Sequence, residues 1–321
     1  MRNRLGMVFG AVVAGVLVAG CTGNVGDSGG GDRKKLVLIP GVADEPFYIS
    51  MQCGAEAKAA ELGYSIDTQA PTKFDAAQQT PVLSGVVANK PGGILIAPTH
   101  ATAMAGPMKQ ARNAGIEIIE VDTALDDTSI AQSSIASDNT AGGELAARTL
   151  AKLIGERGPV LVINTKAGTS TTDARAQGFE SAVKAFPGIT ALGVQYNNNE
   201  AAQAASIVTA TLAAHPDLAG IFATNLSSAE GAATGLRNAN KLGQVKLVGF
   251  DASPKQVEDL KAGTVQALIA QDPASIGAQG VQQAVAAIEG KPVTRTLRTE
   301  MVAITQSDMA ANEKYFYKRK C

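Results

Sequence analysis

Carboxylates, amides and one arginine recur at one kind of place in this sequence, just after a short apolar run. Asp44 and Glu45, with Phe47 and Tyr48 behind them, follow Leu36–Ile39. Thr99 and His100 follow Gly93–Ala97, and Asp122 follows Ile118–Val121. Asp138 and Asn139 follow Ser134-Ile135-Ala136, while Asn164, Lys166 and later Arg175 follow Val160–Ile163. Asn197, Asn198 and Asn199 come after Val194-Gln195, Asn225 after Ile221–Ala223, Asp251 after Leu247–Phe250 and Gln271 after Ala267–Ala270. Planar carboxylate, amide and guanidinium groups bond two neighbouring hydroxyls at once, so the set suits a polyhydroxyl ligand. Each Asp or Asn alone is equally a helix cap or turn former. Phe47 and Tyr48 suit a ligand's C–H face or the packing of a helix.

Other chemistries lack their signatures. No Gly-x-Gly-x-x-Gly follows the first apolar run, where the loop is Pro40-Gly41-Val42-Ala43-Asp44. No phosphate-cradling Gly-Lys-Ser/Thr loop occurs, and no Gly-x-Ser-x-Gly elbow joins an expected strand to an expected helix, the one match to that spacing, Gly26–Gly30, lying in the Gly- and Ser-rich stretch before the first strand. His100 and His215 are far apart without metal-ligand spacing, so neither metal nor cofactor is expected. Lys plus Arg (28) balance Asp plus Glu (29), which argues against nucleic acid as a partner.

The apolar runs define the elements that hold these residues. Strands are expected at Leu36–Ile39, Tyr64–Thr68, Gly93–Ile96 and Ile116–Val121, separated by helices at Phe47–Leu62, Ala76–Asn89 and near Ala101–Ala114. The alternation restarts with a helix at Ala141–Ile154. Strands at Val160–Ile163, Ile189–Gln195, Gly220–Ala223, Val245–Phe250 and Val265–Ala270 follow, with helices at Thr172–Phe186, Ala201–Ala214, Ser227–Ala239 and Ile276–Ile288. Met301–Thr305 is a candidate last strand. Continuous apolar strands separated by helices are parallel strands buried on both faces. About ten such units exceed one compact sheet, so the pattern predicts an α/β chain of two doubly wound lobes. Ligands of open parallel sheets bind beyond the carboxyl ends of the strands, which is where the polar residues fall.

The N-terminus has the pattern of an export signal over residues 1–20. Arg2 and Arg4 precede an apolar run from Met7, and Val18-Ala19-Gly20 closes it before Cys21. Cysteine at that point resembles a bacterial lipoprotein signal, with Cys21 lipidated; the alternative is an ordinary secretory signal with an incidental cysteine. Residues 21–33 are Gly, Ser and Asp rich and fit a flexible tether. The protein is expected outside the cytoplasm, held to the bilayer by this anchor. Cys53 and Cys321 are an even pair in an exported chain, which permits a disulfide. Such a bridge would pin the tail 306–321, with its Tyr315-Phe316-Tyr317 cluster, to the first helix; two unpaired thiols are the alternative.

Four segments resemble the ribose-type periplasmic sugar-binding proteins, in the right order. Ser134–Asn139 with Gly142-Gly143 is similar to their hinge, and Ala167–Ser170 with Arg175 and Gly178-Phe179 to their arginine-bearing loop. Val248–Asp251 and Ile269–Gln271 are similar to their last ligand-binding strands. The resemblance covers about Lys35 to Thr305. It implies Rossmann-like lobes joined by three crossings near Ser137, Gln271 and Glu300, with a first lobe of 34–137 plus 272–300 and a second of 138–271 plus 301–305. It implies ligand contacts at Phe47, Tyr48, Asp122, Asp138, Arg175, Asn225, Asp251 and Gln271, and delivery of the ligand to an ABC importer by a monomer. Glu45 stands where ribose binders have Asn, Thr123 where they have a second Arg, and Asn199 where they stack an aromatic. Without that ring, an acyclic polyol or furanose is expected to suit the pocket better than D-ribose. The more acidic pocket leaves a cationic amino sugar or amine as the alternative ligand.

Two other functions share much of this pattern. A surface carbohydrate-active enzyme would need paired carboxylates, for which Asp122 and Asp251 are candidates. A sensory domain for a membrane signalling partner would share the fold. The anchor itself is directly testable. Cys21→Ala is expected to leave the precursor uncleaved or to release the protein from the membrane fraction, because stable attachment takes about two acyl chains. A processed variant that still sediments with membranes would refute it.

Overall fold

The computed structural model describes Arg33–Cys321, and the expected signal and Cys21 lie outside the described residues. Two six-stranded sheets form the centres of two α/β lobes. The first sheet contains β1 (Lys35–Ile39), β2 (Ser65–Thr68), β3 (Gly93–Ile96), β4 (Glu117–Val121), β5 (Ser133–Ser137) and a late strand, β11 (Thr296–Thr299). Their spatial order is β11-β5-β4-β3-β1-β2, and every neighbouring pair is parallel. Between these strands run α1 (Pro46–Leu62), α2 (Ala76–Ala88) and α3 (Ala105–Asn113). The second lobe contains α4 (Asn139–Ile154), β6 (Gly158–Asn164), α5 (Ser170–Val183), β7 (Ile189–Tyr196) and α6 (Ala201–Ala214). It continues with β8 (Gly220–Ala223), α7 (Leu226–Asn238), β9 (Lys246–Phe250), α8 (Pro254–Lys261) and β10 (Ala267–Gln271). After α9 (Pro273–Ile288) and β11, β12 (Met301–Thr305) closes the second sheet in the order β12-β10-β9-β8-β6-β7. β12 runs antiparallel to β10, an edge exception to the expected parallel sheets.

Strands such as Leu36–Ile39 and Ile94–Ile96 are fully buried, which is why they read as continuous apolar runs. The chain passes between sheets after β5, after β10 and between β11 and β12, where Glu300 alone separates the two strands. Three elements depart from the expected pattern. α8 is short and charged, but Pro254 in its first turn and the reciprocal capping of Ser253 and Gln256 fix its start. β11 is a four-residue edge strand that is mostly exposed. α3 starts at Ala105 rather than Ala101, because His100 Nδ1 accepts from the Thr102 and Ala103 N–H groups and holds that stretch as a turn.

Glycine sets how closely α4 and α5 approach. A Cβ on Gly143 would lie 2.0 Å from the Arg175 carbonyl oxygen, and one on Gly178 would lie 2.2 Å from that of Thr140. Backbone packs on backbone here, and this seats Arg175 beside Asn139 at the start of α4. Cys53 of α1 is bonded to Cys321, with their Cα atoms 5.2 Å apart. Opposite signs are therefore expected from two helical substitutions. Gly143→Ala is expected to cost about 1–3 kcal/mol through overpacking. Gly85→Ala on α2, which meets open space, is expected to stabilise by about 0.5–1 kcal/mol. Urea unfolding of both variants checks this, and equal midpoints would refute the close-packing role.

Candidate functional site

The carboxyl ends of the two sheets face each other across a cleft, and a small inner cavity of about 30 Å3 lies there. Nine of the ten ligand-site residues expected from the sequence line it: Glu45, Phe47, Tyr48, Asp122, Arg175, Asn199, Asn225, Asp251 and Gln271. The two lobes contribute matched groups. Asp122 ends β4 and Asp251 ends β9, both in the left-handed region at φ 65° and 81°, which Asp tolerates better than most residues. Each donates its N–H to the next strand, Asp122 to the Ile135 oxygen and Asp251 to that of Ile269, both at 2.8 Å.

Asp122, Asp251 and Arg175 are each held in place by hydrogen bonds. Tyr48 donates to Asp122 Oδ2 at 2.9 Å. Asp251 Oδ1 accepts from Gln271 Nε2 at 2.7 Å and from the Tyr317 hydroxyl at 2.9 Å, and its Oδ2 accepts from the Leu226 N–H at 3.0 Å. Gln271 in turn accepts from Ser137 Oγ at 2.9 Å, tying the ends of β5 and β10. Arg175 donates through Nε to Asn139 Oδ1 (2.8 Å) and through Nη1 to the Thr224 oxygen (2.9 Å). Its guanidinium lies 3.7 Å above the centre of the Phe250 ring. Asn225 caps α7 and donates to Asn199 Oδ1 at 2.7 Å.

Asp138 does not reach the cavity. It is the N-cap of α4, its side chain accepts from the Ala141 N–H, and it is exposed at a separate hollow beside Arg298. Asn139, one residue on, is the buried group, and it turns inward to hold Arg175. The cavity also takes residues that the strand-end pattern did not single out as ligand groups: Phe74, Thr123, Thr165, Thr169, Thr171 and Thr172. Phe74 sits in the loop before α2, beside Asp75, whose side chain caps that helix. Among the described residues, Thr123 Oγ1 and Thr169 Oγ1 are buried hydroxyls with no protein partner, and both line this cavity. Buried polar groups are ordinarily paired, so two orphans facing one cavity mark where a ligand's polar groups belong.

The electrostatics are strained toward neutrality. Burial pushes the Glu45 carboxyl up to about 8, helped by the nearby Asp251, Asp122 and Glu230 and opposed by Arg175. Burial also raises Asp122, to about 6, while Arg175 and the Tyr48 hydrogen bond hold it down. At neutral pH Glu45 is thus a hydroxyl donor as well as an acceptor. Around the cavity the lobes already touch. Lys166 and Asp75 pair at 3.2 Å, the Ala101 N–H donates to the Gly168 oxygen, and the Ala124 N–H donates to Ser170 Oγ. A wider groove outside shares Glu45, Phe74 and Asn199 with the cavity, so these three form its neck.

Known proteins share this architecture. Residues 36–292 match the family described as periplasmic binding protein domain. The ribose import binding protein of Salmonella typhimurium is 34% identical over 265 residues, which is 81% of this chain and 87% of that protein. The D-allose-binding periplasmic protein of Escherichia coli is 30% identical over 245 residues, covering 74% of this chain and 79% of that one. An ABC transporter solute-binding protein from Agrobacterium vitis, solved with α-D-tagatopyranose, superposes with a TM-score of 0.87 at 44% identity, covering 88% of this chain and 99% of that one. These relatives are binding proteins of transport systems and not enzymes. In sequence and in fold alike, the chain belongs to the periplasmic binding protein family.

Proposed function

We propose that this protein captures a neutral monosaccharide in its interlobe cavity and presents it to the membrane subunits of an ABC importer. The observation that carries this reading is the pair of unpartnered buried hydroxyls, Thr123 and Thr169, in a wall of carboxylates, amides and one guanidinium. A sugar's hydroxyls both donate and accept, and so satisfy each of these groups. The ligand contacts proposed are Glu45, Phe47, Tyr48, Asp122, Arg175, Asn199, Asn225, Asp251 and Gln271, with Phe74 and the threonines added.

The preference for an acyclic polyol or furanose rested on Asn199 in place of an aromatic. Phe47 and Phe74 supply aromatic wall from the first lobe instead, and this favours a pyranose ring. The similar Agrobacterium vitis protein holds a ketohexose pyranose, so D-tagatose is the first probe. A cationic amino sugar is the second reading, favoured by three carboxylates, Glu45, Asp122 and Asp251, around one arginine. The lobes proposed are 34–137 plus 272–300 and 138–271 plus 301–305, acting as a monomer tethered through Cys21. A sensory partner in place of the importer would use the same cavity.

A thermal-shift screen of D-tagatose, D-ribose, D-allose, acyclic polyols and amino sugars tests the ligand class. A neutral pyranose is expected to raise the midpoint most; a response confined to amines would move the assignment to the second reading. Asp251→Asn is expected to raise the Kd of the best sugar about 10–100-fold, because a charge-assisted hydrogen bond is worth about 1.5–3 kcal/mol. The sugar should be recovered unchanged after prolonged incubation, and turnover would refute the binding role.

Glu45 gives the ligand-free protein a pH dependence with a definite sign. Its folded value of about 8 lies above the usual carboxylate value of 4.5. Between those values the folded state holds the proton and the unfolded state has lost it, so stability falls as pH rises. Glu45→Gln is expected to flatten that decline between pH 5 and 8 and to stabilise the protein at pH 8. Denaturant midpoints that fall equally in variant and wild type would refute the assignment.

A further inference from the structure

The segment that follows β12 crosses from one lobe to the other and ends on a covalent bond. Within the second lobe, the Tyr317 N–H donates to the Ala252 oxygen at 3.0 Å. The Tyr317 hydroxyl donates to Asp251 Oδ1 at 2.9 Å and accepts from the Gln271 N–H at 3.3 Å. Its ring meets the edge of Phe47, on the first lobe, at 5.7 Å. One residue later the chain belongs to the first lobe. The Lys318 N–H donates to Ser50 Oγ at 2.7 Å, and Cys321 is bonded to Cys53, both on α1. A single buried apolar cluster contains Tyr315 and Tyr317 together with residues of α1 in the first lobe and of α7 and β9 in the second.

The reach of this segment is short. From Tyr317 to Cys321 four residues span at most about 14 Å. Parting the lobes with the bridge intact must keep α1 within that reach of Asp251 or pull Tyr317 off the carboxylate.

We propose that the Cys53–Cys321 bridge makes the tail a strap across the cleft, one that limits how far the lobes part and keeps Tyr317 seated against Asp251 as a positioning residue. The first half concerns the protein without ligand. The second half rests on the sugar-binding reading, since it treats Asp251 as a ligand group. Tyr317 adds no contact of its own to the cavity wall. It orients one carboxylate oxygen, leaving the remaining lone pairs directed at the ligand.

Small-angle scattering of the ligand-free protein tests the strap. Cys321→Ser, and wild type under a phosphine reductant, are both expected to show a larger radius of gyration than oxidised wild type. With saturating D-tagatose the three radii should converge. If Cys321→Ser fails to fold, the reduced wild type carries the comparison. Equal ligand-free radii in oxidised and reduced protein would overturn the strap. Tyr317→Phe keeps the ring on Phe47 and removes the hydroxyl. It is expected to raise the Kd for D-tagatose about 10-fold while leaving the ligand-free radius at the wild-type value. A wild-type Kd for that variant would overturn the positioning role. A wild type that binds no sugar in the screen counts against the proposed function, and the scattering comparison still decides the strap.

Discussion

One buried cation holds the site together. Arg175 faces a cavity that also contains Glu45, Asp122 and Asp251, and desolvating several carboxylates beside a lone guanidinium is expensive unless each is hydrogen-bonded. The fold meets that cost on both sides. It fixes the guanidinium with Asn139, the Thr224 carbonyl and the Phe250 ring. It gives Asp251 three donors and Asp122 a tyrosine, and it lets Glu45 stay protonated at neutral pH. Each of these supports comes from a different element. The close helix contact at Gly143 and the exact ends of β4, β8 and β9 are therefore requirements of the charge arrangement as much as of packing.

The two lobes solve the same local problem twice. An aspartate leaves a central strand, turns through positive φ and anchors its N–H on the neighbouring strand. This places two carboxylates at equivalent points of two facing sheets. On the proposed sugar-binding reading, a ligand between them is gripped from both lobes, and the interlobe contacts of Lys166 with Asp75 and of Gly168 with Ala101 close around it. On that reading binding and lobe closure are one event, because no single lobe carries the full set of partners.

Much of this was legible in the sequence because buried parallel strands leave four-residue runs of Ile, Leu and Val. The residue after such a run must lie at the sheet's carboxyl edge, and this rule gave a wider set of polar residues from which the resemblance to ribose-type binding proteins picked out the nine that line the cavity. It failed where the rule says nothing. Asp138 and Asn139 are adjacent at one strand end, and only the path of α4 decides which is the cap and which turns inward. Phe74 enters from a loop, not a strand end. The threonines of the cavity are common residues with no periodic signature, and Thr169 is recognisable only by its lack of a partner. The weak edge strand β11 and the short α8 escaped for the opposite reason. One is mostly exposed and the other is too short and charged to show an apolar face.

The Cys53–Cys321 bond spans 268 residues, so nearly all of both lobes lies inside one covalent ring. A single cut by a protease at any loop within that ring leaves one molecule, not two. The severed ends stay tethered, and the local concentration of each lobe about the other remains high enough for them to re-engage. For a receptor working outside the cell, where proteases are met and no replacement is synthesised in place, this converts a nick from a loss of the protein into a local defect. The same closure means that a load on the first lobe, entering at β1, passes through that lobe's sheet to α1. From there it is shared by the hinge strands and the bridge, and the lobe that holds the other half of the site does not hang on the hinge alone.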